Sequence, residues 1–262
     1  LSLSLQLLYG LMHRQIVDRL LFTNPTALPL HTIDTIATAP VLVVAPHPDD
    51  ETLGCGGAIA LLRSLGCQVN ILVISDGTMS HPRSRKYPAP ILRNLREVET
   101  RSATFTLGVE DAVTFLRLPD GAVPTPESPG FPAAMVLCRD RIAALTPKII
   151  FLPWRSDPHP DHRATWQLIH AALTDLSLSP RSIEYPIWDW DEAQRSEVPE
   201  PDRFTAWRLD ITQVVEKKKQ AIAAYRSQTT NLIDDDPEGF RLTPEMLANF
   251  TRPWEVYLEE IK

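Results

Sequence analysis

The chain has 262 residues, of which 44% are hydrophobic and 23% charged, and its formal net charge is −7 at neutral pH. This length and composition suit one large α/β domain, and the acidic balance argues against a general nucleic-acid-binding protein, which normally presents a basic face. The three cysteines have no metal-ligand spacing, so the sequence indicates neither a disulfide framework nor a cysteine zinc site. This fits a reducing compartment, and we expect a cytoplasmic protein.

Residues 1–35 are expected to form a leading helix and a connector, attached to a single domain that spans the whole chain, 1–262. One face of a helix is approximated by Leu7, Leu11, Val17, Leu20 and Leu21, but charged residues interrupt the leucine-rich stretch. No apolar run reaches the roughly 18 residues that a membrane span needs. We expect the helix to dock on the domain. A membrane-surface or partner helix is the alternative, and only this segment would then mediate membrane association.

The first cluster of imidazole and carboxylate side chains follows a short apolar run. Val41–Ala45 is bounded by turn formers, as is typical of a buried parallel strand. The run leads into Pro46-His47-Pro48-Asp49-Asp50-Glu51, at the carboxyl end of the strand, where open α/β sheets bind their ligands. A helix is predicted from about Thr52 to Leu65, and the glycines at its start indicate close approach to a strand or a ligand.

Strands and helices alternate along the chain as far as about residue 226. After Val41–Ala45 the predicted strands are Val69–Ser75, Val113–Leu118, Lys148–Pro153, Ser182–Ile187 and Phe204–Ile211. After Thr52–Leu65 the predicted helices are Ile91–Leu107, Ala133–Leu145, Arg163–Leu176 and Val214–Arg226. This alternation predicts an α/β fold with a mostly parallel sheet and helices on both faces. The segment Asn231–Pro253 has no strong pattern and is expected to form a tail.

A second cluster, Pro158-His159-Pro160-Asp161-His162, follows the buried run Ile149–Pro153. Because two strand ends carry such clusters, we expect His47, Asp50 and His162 to converge on one metal ion. Two imidazoles and one carboxylate supply the three protein ligands that are typical of catalytic zinc, with water in the fourth position. Zinc would lower the pKa of that water to about 7. Iron(II) is the alternative, since the same ligand types suit it.

The remaining residues of the two clusters suggest catalytic roles. Asp49 precedes the expected ligand Asp50, and a carboxylate beside the metal but not bound to it is a suitable general base. His159 can hydrogen-bond the developing oxyanion and protonate the leaving amine. Asp161 is expected to fix the tautomer of His159 and raise its pKa.

The two clusters together resemble the signature of the PIG-L/LmbE family of zinc-dependent N-deacetylases. Two later stretches are similar to family helices, and the resemblance extends in order from about Val41 to Gln228. The first stretch contains Arg96, Glu99, Ala103 and Leu107-Gly108-Val109. The second contains Lys219 and Ala223-Ala224-Tyr225-Arg226-Ser227-Gln228. The histidine motifs are specific in combination, whereas the helix patterns are weak alone. Pro46 stands where many members have alanine, which stiffens the loop.

The resemblance implies a Rossmann-like sheet and assigns the same residues to the same roles. It also implies removal of the N-acetyl group from an N-acetylglucosamine unit in a larger molecule, giving acetate and a free amino sugar. An amidase acting on a non-sugar amide or a thiol conjugate is the alternative, and a catalytically silent binding module is a third hypothesis. The sequence leaves the aglycone, which is the part of the substrate beyond the sugar, undetermined, and homo-oligomerisation open.

Several other polar residues have both a functional and a structural interpretation. Arg83 and Arg85, in the loop Thr78–Pro90, are candidates for binding substrate hydroxyls or a phosphate, but an exposed charged loop is the default interpretation. Arg96 and Glu99 have the spacing of a structural i,i+3 pair. We further expect Glu51 to be an acidic residue of a first helical turn with some supporting role at the site. Tyr225, Ser227 and Gln228 are expected to pack or cap a helix end.

Overall fold

A computed structural model describes residues 21–38, 40–195 and 203–261. In this part of the chain, eight strands form one sheet. The strands are β1 (Leu30–His31), β2 (Val41–Ala45), β3 (Val69–Ser75), β4 (Val113–Leu118), β5 (Ile149–Pro153), β6 (Arg181–Tyr185), β7 (Phe204–Asp210) and β8 (Trp254–Glu260). Helices and short 3₁₀ turns connect them. The helices are α1 (Asp50–Ser64), α2 (Ala89–Leu107), α3 (Phe131–Leu145), α4 (Pro160–Asp175), α5 (Val215–Ala223), α6 (Arg226–Thr229) and α7 (Pro244–Phe250).

The sheet is mostly parallel, with strand order β1-β7-β8-β6-β5-β2-β3-β4. Strand β8 is antiparallel to both of its neighbours, and the other paired strands run parallel. After β2 the chain adds β3 and then β4 on one side of β2, and it adds β5 on the other side of β2. The strand order therefore reverses between β2 and β5, and a crevice at such a point is where open α/β sheets bind ligands.

Helices cover both faces of the sheet, as the alternation predicts. All five residues of β2 are buried. Val41, Val43 and Ala45 belong to the hydrophobic core on one face, whereas Leu42 and Val44 belong to the core on the other. Helices α1 and α5 contribute to the first core and α3 and α4 to the second. A strand buried on both faces needs a continuous apolar run, so the run that predicted β2 is explained by its central position.

Two glycines let α1 lie against neighbouring elements, which confirms the predicted close approach. A Cβ atom on Gly54 would lie 2.3 Å from Cδ2 of Tyr185, at the end of β6. A Cβ atom on Gly57 would lie 2.5 Å from Cγ2 of Ile211, just after β7. Any larger residue would push α1 away from the sheet. The first turn of this helix carries part of the first cluster, so the close packing also fixes the position of that cluster.

The structure differs from the sequence-based prediction mainly after residue 210. The helix predicted over Val214–Arg226 ends at Ala223, and the separate short helix α6 follows it. The segment Asn231–Pro253 is a tail, but it contains α7, whose first turn Thr243 caps by accepting a hydrogen bond from the Met246 N–H. The final stretch enters the sheet as β8, between β6 and β7.

Almost all of the predicted leading helix lies outside the described residues, and the extent of the domain over 1–262 stays a prediction. Residues 21 and 22 are described, and Leu21 is buried in a small core with Trp154 and Phe204. Among the described residues, no helix combines the length and the apolar character required to cross a membrane.

Candidate metal centre

The two predicted clusters lie next to each other at the carboxyl edge of the sheet. Strands β2 and β5 are hydrogen-bonded neighbours, with Val41 opposite Ile149 and Val43 opposite Phe151. The first cluster follows β2 and forms the start of α1. The second follows β5, and its histidine His159 caps α4 by accepting a hydrogen bond from the Asp161 N–H. Residues more than a hundred positions apart in the sequence are therefore brought into one site.

The three predicted ligands converge. Nδ1 of His47 lies 3.1 Å from Oδ2 of Asp50, and Nε2 of His162 lies 3.2 Å from the same oxygen. The two nitrogens are 3.3 Å apart. The His162 side chain is fully buried, and that of His47 is 12% exposed. The donor atoms thus form a nearly equilateral triangle at the bottom of the crevice.

This triangle fits a divalent cation. Donor atoms about 2.0–2.1 Å from a tetrahedral zinc ion lie roughly 3.3 Å from one another. Two imidazole nitrogens and one carboxylate oxygen also match the ligand types of catalytic zinc and of iron(II). A nitrogen of His159 lies with those of His47 and His162 in a group whose ligand atoms are all within 4.8 Å. The residues therefore fit a metal ion, without identifying which one.

Three further carboxylates lie beside the outer nitrogens of the candidate ligands, and one of them, that of Asp161, is hydrogen-bonded to its histidine. Nε2 of His47 lies 3.2 Å from Oδ2 of Asp161 and 3.3 Å from Oδ1 of Asp120. Nδ1 of His162 lies 3.3 Å from Oδ2 of Asp157. Metal-binding histidines commonly donate their second N–H to a carboxylate, which orients the ring. The sequence analysis did not assign a role to Asp120 or Asp157. The available signal was their position, since Asp120 follows Pro119 just after β4 and Asp157 lies in the loop after β5.

The Asp161 carboxylate does not contact His159 as expected, although its negative charge acts to raise the pKa of that ring, as predicted. The carboxylate accepts hydrogen bonds from the N–H groups of Gly121 and Val123 and faces His47 rather than His159. The contact between Asp161 and His159 goes through the backbone, with the Asp161 N–H donating to Nδ1 of His159. The reason is that Asp161 lies in the first turn of α4 and points across the crevice to the loop after β4.

The carboxylates set the charge of the cluster. Burial lowers the pKa of His162, but Asp157 and Asp50 more than offset this and raise it to about 9. The pKa of His47 is likewise raised, because Asp120, Asp161 and Asp50 outweigh the effect of burial. Burial alone would raise the pKa of Asp50, whereas the two imidazoles hold it well below its ordinary value. The carboxylates thus favour a cation at this position.

Asp49 lies beside the triangle and has an unusual backbone conformation. Its φ is 132°, a value that residues other than glycine rarely adopt, and its carboxylate accepts a hydrogen bond from Arg96. Burial raises the pKa of Asp49 to about 8, and the Arg96 guanidinium opposes that rise. A buried carboxylate with a pKa near neutrality suits a general base.

Arg96 is part of the site, so its interpretation as a partner of Glu99 is wrong. Its Nη2 donates to Oδ2 of Asp49 at 3.0 Å and to the carbonyl oxygen of Pro48 at 2.5 Å. Its Nη1 donates to the carbonyl oxygen of Gly77. Glu99 instead accepts hydrogen bonds from the N–H and the hydroxyl of Ser227. Arg96 lies on the buried face of α2 and reaches across to the loop after β2.

Glu51 is hydrogen-bonded to the loop after β2 that contains Asp49. Its Oε2 accepts a hydrogen bond from the Asp49 N–H, and its Oε1 accepts from the hydroxyls of Thr52 and Tyr225. Glu51 is fully buried, and burial raises its pKa. The expected supporting role is therefore observed, and Tyr225 carries part of it, in addition to packing in the core.

His159 faces the crevice as a neutral ring. Its Nδ1 accepts the hydrogen bond from the Asp161 N–H, which assigns the proton of the neutral ring to Nε2. Burial lowers its pKa to about 4, and the neighbouring His47 and His162 act in the same direction. The ring stacks on Trp188, with centroids 5.6 Å apart. His159 is therefore positioned to donate a hydrogen bond from Nε2.

A cavity of about 200 Å³ opens above these residues. Its polar side includes His47, Asp49, Asp50 and His159. Its apolar side comes from α1, the 3₁₀ turn Trp188–Trp190 and the tail. The apolar lining includes Leu53, Trp188, Phe240, Leu242, Met246 and Phe250.

The predicted substrate-binding residues Arg83 and Arg85 do not line this cavity. Arg83 is 72% exposed in its side chain and forms an ion pair with Glu238. The N–H groups of Arg83 and Arg85 donate to Asp236 and Asp235 in the tail. Their loop therefore anchors the tail over the site as an exposed charged loop, and a role for Arg83 and Arg85 in substrate binding stays a prediction.

Comparison with known proteins places this site in a family. The family described as PIG-L, GlcNAc-PI de-N-acetylase, matches residues 42–173. A Bacillus cereus protein named probable N-acetyl-alpha-D-glucosaminyl L-malate deacetylase 2 is 28% identical over 203 residues, which cover 74% of this chain and 86% of that protein. Diacetylchitobiose deacetylase from Thermococcus kodakarensis is 28% identical over 200 residues, covering 72% of this chain and 69% of that protein.

Solved structures show the same fold. The N,N'-diacetylchitobiose deacetylase from Pyrococcus horikoshii superposes with a TM-score of 0.60 at 22% sequence identity, covering 95% of this chain and 91% of that chain. At this identity the likeness concerns the fold alone. It agrees with the mostly parallel sheet and flanking helices described above.

Proposed function

Because this chain belongs to the PIG-L family, we propose that it is a metal-dependent de-N-acetylase acting on an N-acetylglucosamine unit. The relatives named for the malate conjugate and for diacetylchitobiose both act on substrates that contain this unit, according to their names. The single observation that carries the proposal is the triangle of His47, Asp50 and His162 beside Asp49 in an open crevice.

A bound divalent cation would polarise the acetyl carbonyl and lower the pKa of an attacking water. We assign its binding to His47, Asp50 and His162, with zinc as the expected ion and iron(II) as the alternative. Asp161 and Asp120 then orient His47, and Asp157 orients His162, so that their inner nitrogens face the cation.

Asp49 acts as the general base in this proposal. Its carboxylate accepts the proton of the attacking water, and its Oδ2 is held by Arg96. Nε2 of His159 donates a hydrogen bond to the oxyanion that develops from the acetyl oxygen. The proton on Asp49 then passes to the departing amine, which leaves acetate and a free amino sugar. Each of these groups lines the same cavity.

A substrate panel tests the proposal against hydrolysis of a non-sugar amide. Acetate release is measured for methyl N-acetylglucosaminide, for N-acetylated amino acids and for an N-acetylated thiol conjugate, each with the zinc-loaded protein. We expect acetate release from the glycoside alone, or a clearly higher kcat/KM for the glycoside than for the non-sugar amides. Release from the non-sugar amides with none from the glycoside would contradict the proposal.

A further inference from the structure

The candidate active site continues into a second cavity. A cavity of about 380 Å³ adjoins the first, and both are lined by Ile187, Trp188, Met246 and Phe250. The shared residues come from the turn after β6 and from α7. The crevice therefore extends away from the metal triangle, between that turn and the tail helix.

The wall of the first cavity beyond the reacting groups, which continues into the second cavity through Trp188, Met246 and Phe250, is apolar. Among the described residues that line the first cavity, most of the polar ones are the candidate ligands, their partners, and Asp49 with Arg96. Trp188 lies between His159 and Phe240, with ring centroids 5.6 Å and 5.4 Å away. A substrate that reaches past the acetyl group thus meets aromatic and aliphatic side chains, and burying such surface favours apolar groups.

The charges around the crevice disfavour an anionic group. The second cavity is also lined by Asp191, Glu192 and Glu245, all of which are exposed at its mouth. Arg96 is the only lysine or arginine among the described residues that line the two cavities, and its guanidinium is already bonded to Asp49. A carboxylate or phosphate in this region would have negative neighbours and no free cationic partner.

We propose that the crevice between Trp188 and α7 binds the aglycone, and that this aglycone is an extended, apolar group without negative charge. The proposal rests on the proposed function, because it takes the deacetylated sugar to lie over the metal triangle. An acetyl group is too small to require the second cavity. The open, acidic mouth suits the end of the substrate that is most distant from the amide.

Three glycosides of N-acetylglucosamine with the same anomeric configuration test the proposed apolar aglycone site. They carry a methyl, a pentyl or a carboxybutyl aglycone, and kcat/KM for acetate release is measured with the zinc-loaded full chain. We expect the pentyl glycoside to exceed the methyl glycoside by about tenfold or more, because each buried methylene contributes to binding. The carboxybutyl glycoside should fall about tenfold below the pentyl glycoside at low ionic strength.

Two variants connect the preference to the crevice. Met246→Ala should lower the ratio of pentyl to methyl kcat/KM about fivefold. Met135→Ala, a matched change at a partly buried methionine of α3 that lines neither cavity, should leave the ratio unchanged. Glu245→Lys should raise kcat/KM for the carboxybutyl glycoside relative to the pentyl glycoside about threefold. Glu110→Lys is its control, since Glu110 is exposed and lines neither cavity.

The outcomes separate the two proposals. Acetate release from all three glycosides at equal kcat/KM would overturn the apolar aglycone site and leave the de-N-acetylase proposal intact. A preference for the carboxybutyl glycoside would also overturn it. No release from any glycoside would contradict the proposed function itself. Because Glu245 is exposed, its variant gives a result even if Met246→Ala fails to fold.

Discussion

The guanidinium of Arg96 and the carboxylate of Asp49 form a buried ion pair, with Nη2 3.0 Å from Oδ2. The pair joins α2 to the loop that follows β2. Because Arg96 also donates to two carbonyl oxygens of the loops around it, it fixes the carboxylate relative to the metal triangle. The proposed base is therefore positioned by a residue from a separate element, rather than by its own loop alone.

Arg96→Gln should lower kcat for acetate release by about 10- to 100-fold while the protein still binds one equivalent of zinc. The shorter amide cannot reach all three acceptors, so the Asp49 carboxylate loses its fixed position. Steady-state kinetics and metal analysis check this. Arg101→Gln is the matched control on an exposed part of the same helix and should have little effect. Loss of zinc in Arg96→Gln would show that Arg96 supports the metal ligands instead.

Asp157→Asn should weaken zinc binding by about 10- to 100-fold, because His162 then loses the carboxylate that orients its ring. Competition with a chromophoric chelator measures the change. His162→Ala should abolish binding at this site, whereas His170→Ala, an exposed histidine on the same helix, should bind zinc normally. An unchanged affinity for Asp157→Asn would mean that the ring is held by packing alone.

Asp189→Asn should reduce the loss of stability that accompanies rising pH. Asp189 is buried without a hydrogen-bond partner for either carboxylate oxygen among the described residues, and burial, assisted by Asp157, raises its pKa from 3.8 to about 8. The pKa of Asp189 is higher in the folded than in the unfolded state. Its contribution to the stability of the folded state is therefore complete below about pH 4 and is lost as the pH rises towards 8.

The measurement is the free energy of unfolding in urea at about pH 5 and about pH 8, in chelator. The decrease between these two values should be smaller in Asp189→Asn than in the native protein, by roughly 3–4 kcal/mol. Equal decreases in the two proteins would contradict the prediction. Comparing the variant with the native protein removes the contribution of the histidines, which titrate in both.

Gly54→Ala should destabilise the protein by about 1–3 kcal/mol, because the new Cβ would lie 2.3 Å from the Tyr185 ring. Tyr185 cannot easily move, since its hydroxyl donates to the carbonyl oxygen of Val44 at 2.6 Å. Urea unfolding measures the loss. Ser64→Ala, at the exposed end of α1, is expected to change stability by less than about 0.5 kcal/mol. A neutral Gly54→Ala would show that α1 can shift freely.

The sequence predicts the parallel strands well because their signal is local. β2 is a continuous apolar run and β3 is a mostly apolar one, as is typical of strands buried on both faces, and the structure confirms their bounds. The convergence of His47, Asp50 and His162 was also predicted, because both clusters follow strand ends. The roles of Asp49 as base and of His159 as hydrogen-bond donor stay predictions.

The remaining features depend on long-range geometry that no local pattern encodes. Nothing in the sequence around Arg96 indicates that it reaches Asp49, 47 positions away, rather than Glu99 one turn further along its own helix. The direction and place of β8 depend on how the chain returns after α7, which alternation alone does not define. The apolar side of the cavity comes from a tail whose helix is too short to show a clear period.

The most direct measurement is zinc back-titration of chelator-treated native protein and its Asp49→Asn variant, with acetate release from methyl N-acetylglucosaminide as the readout. We expect no release from the chelated native protein and full recovery at one equivalent of zinc per chain. The variant should bind the same equivalent and stay at least about a hundredfold slower. Full release by the chelated native protein, or native turnover by Asp49→Asn, would contradict a metal triangle served by this carboxylate.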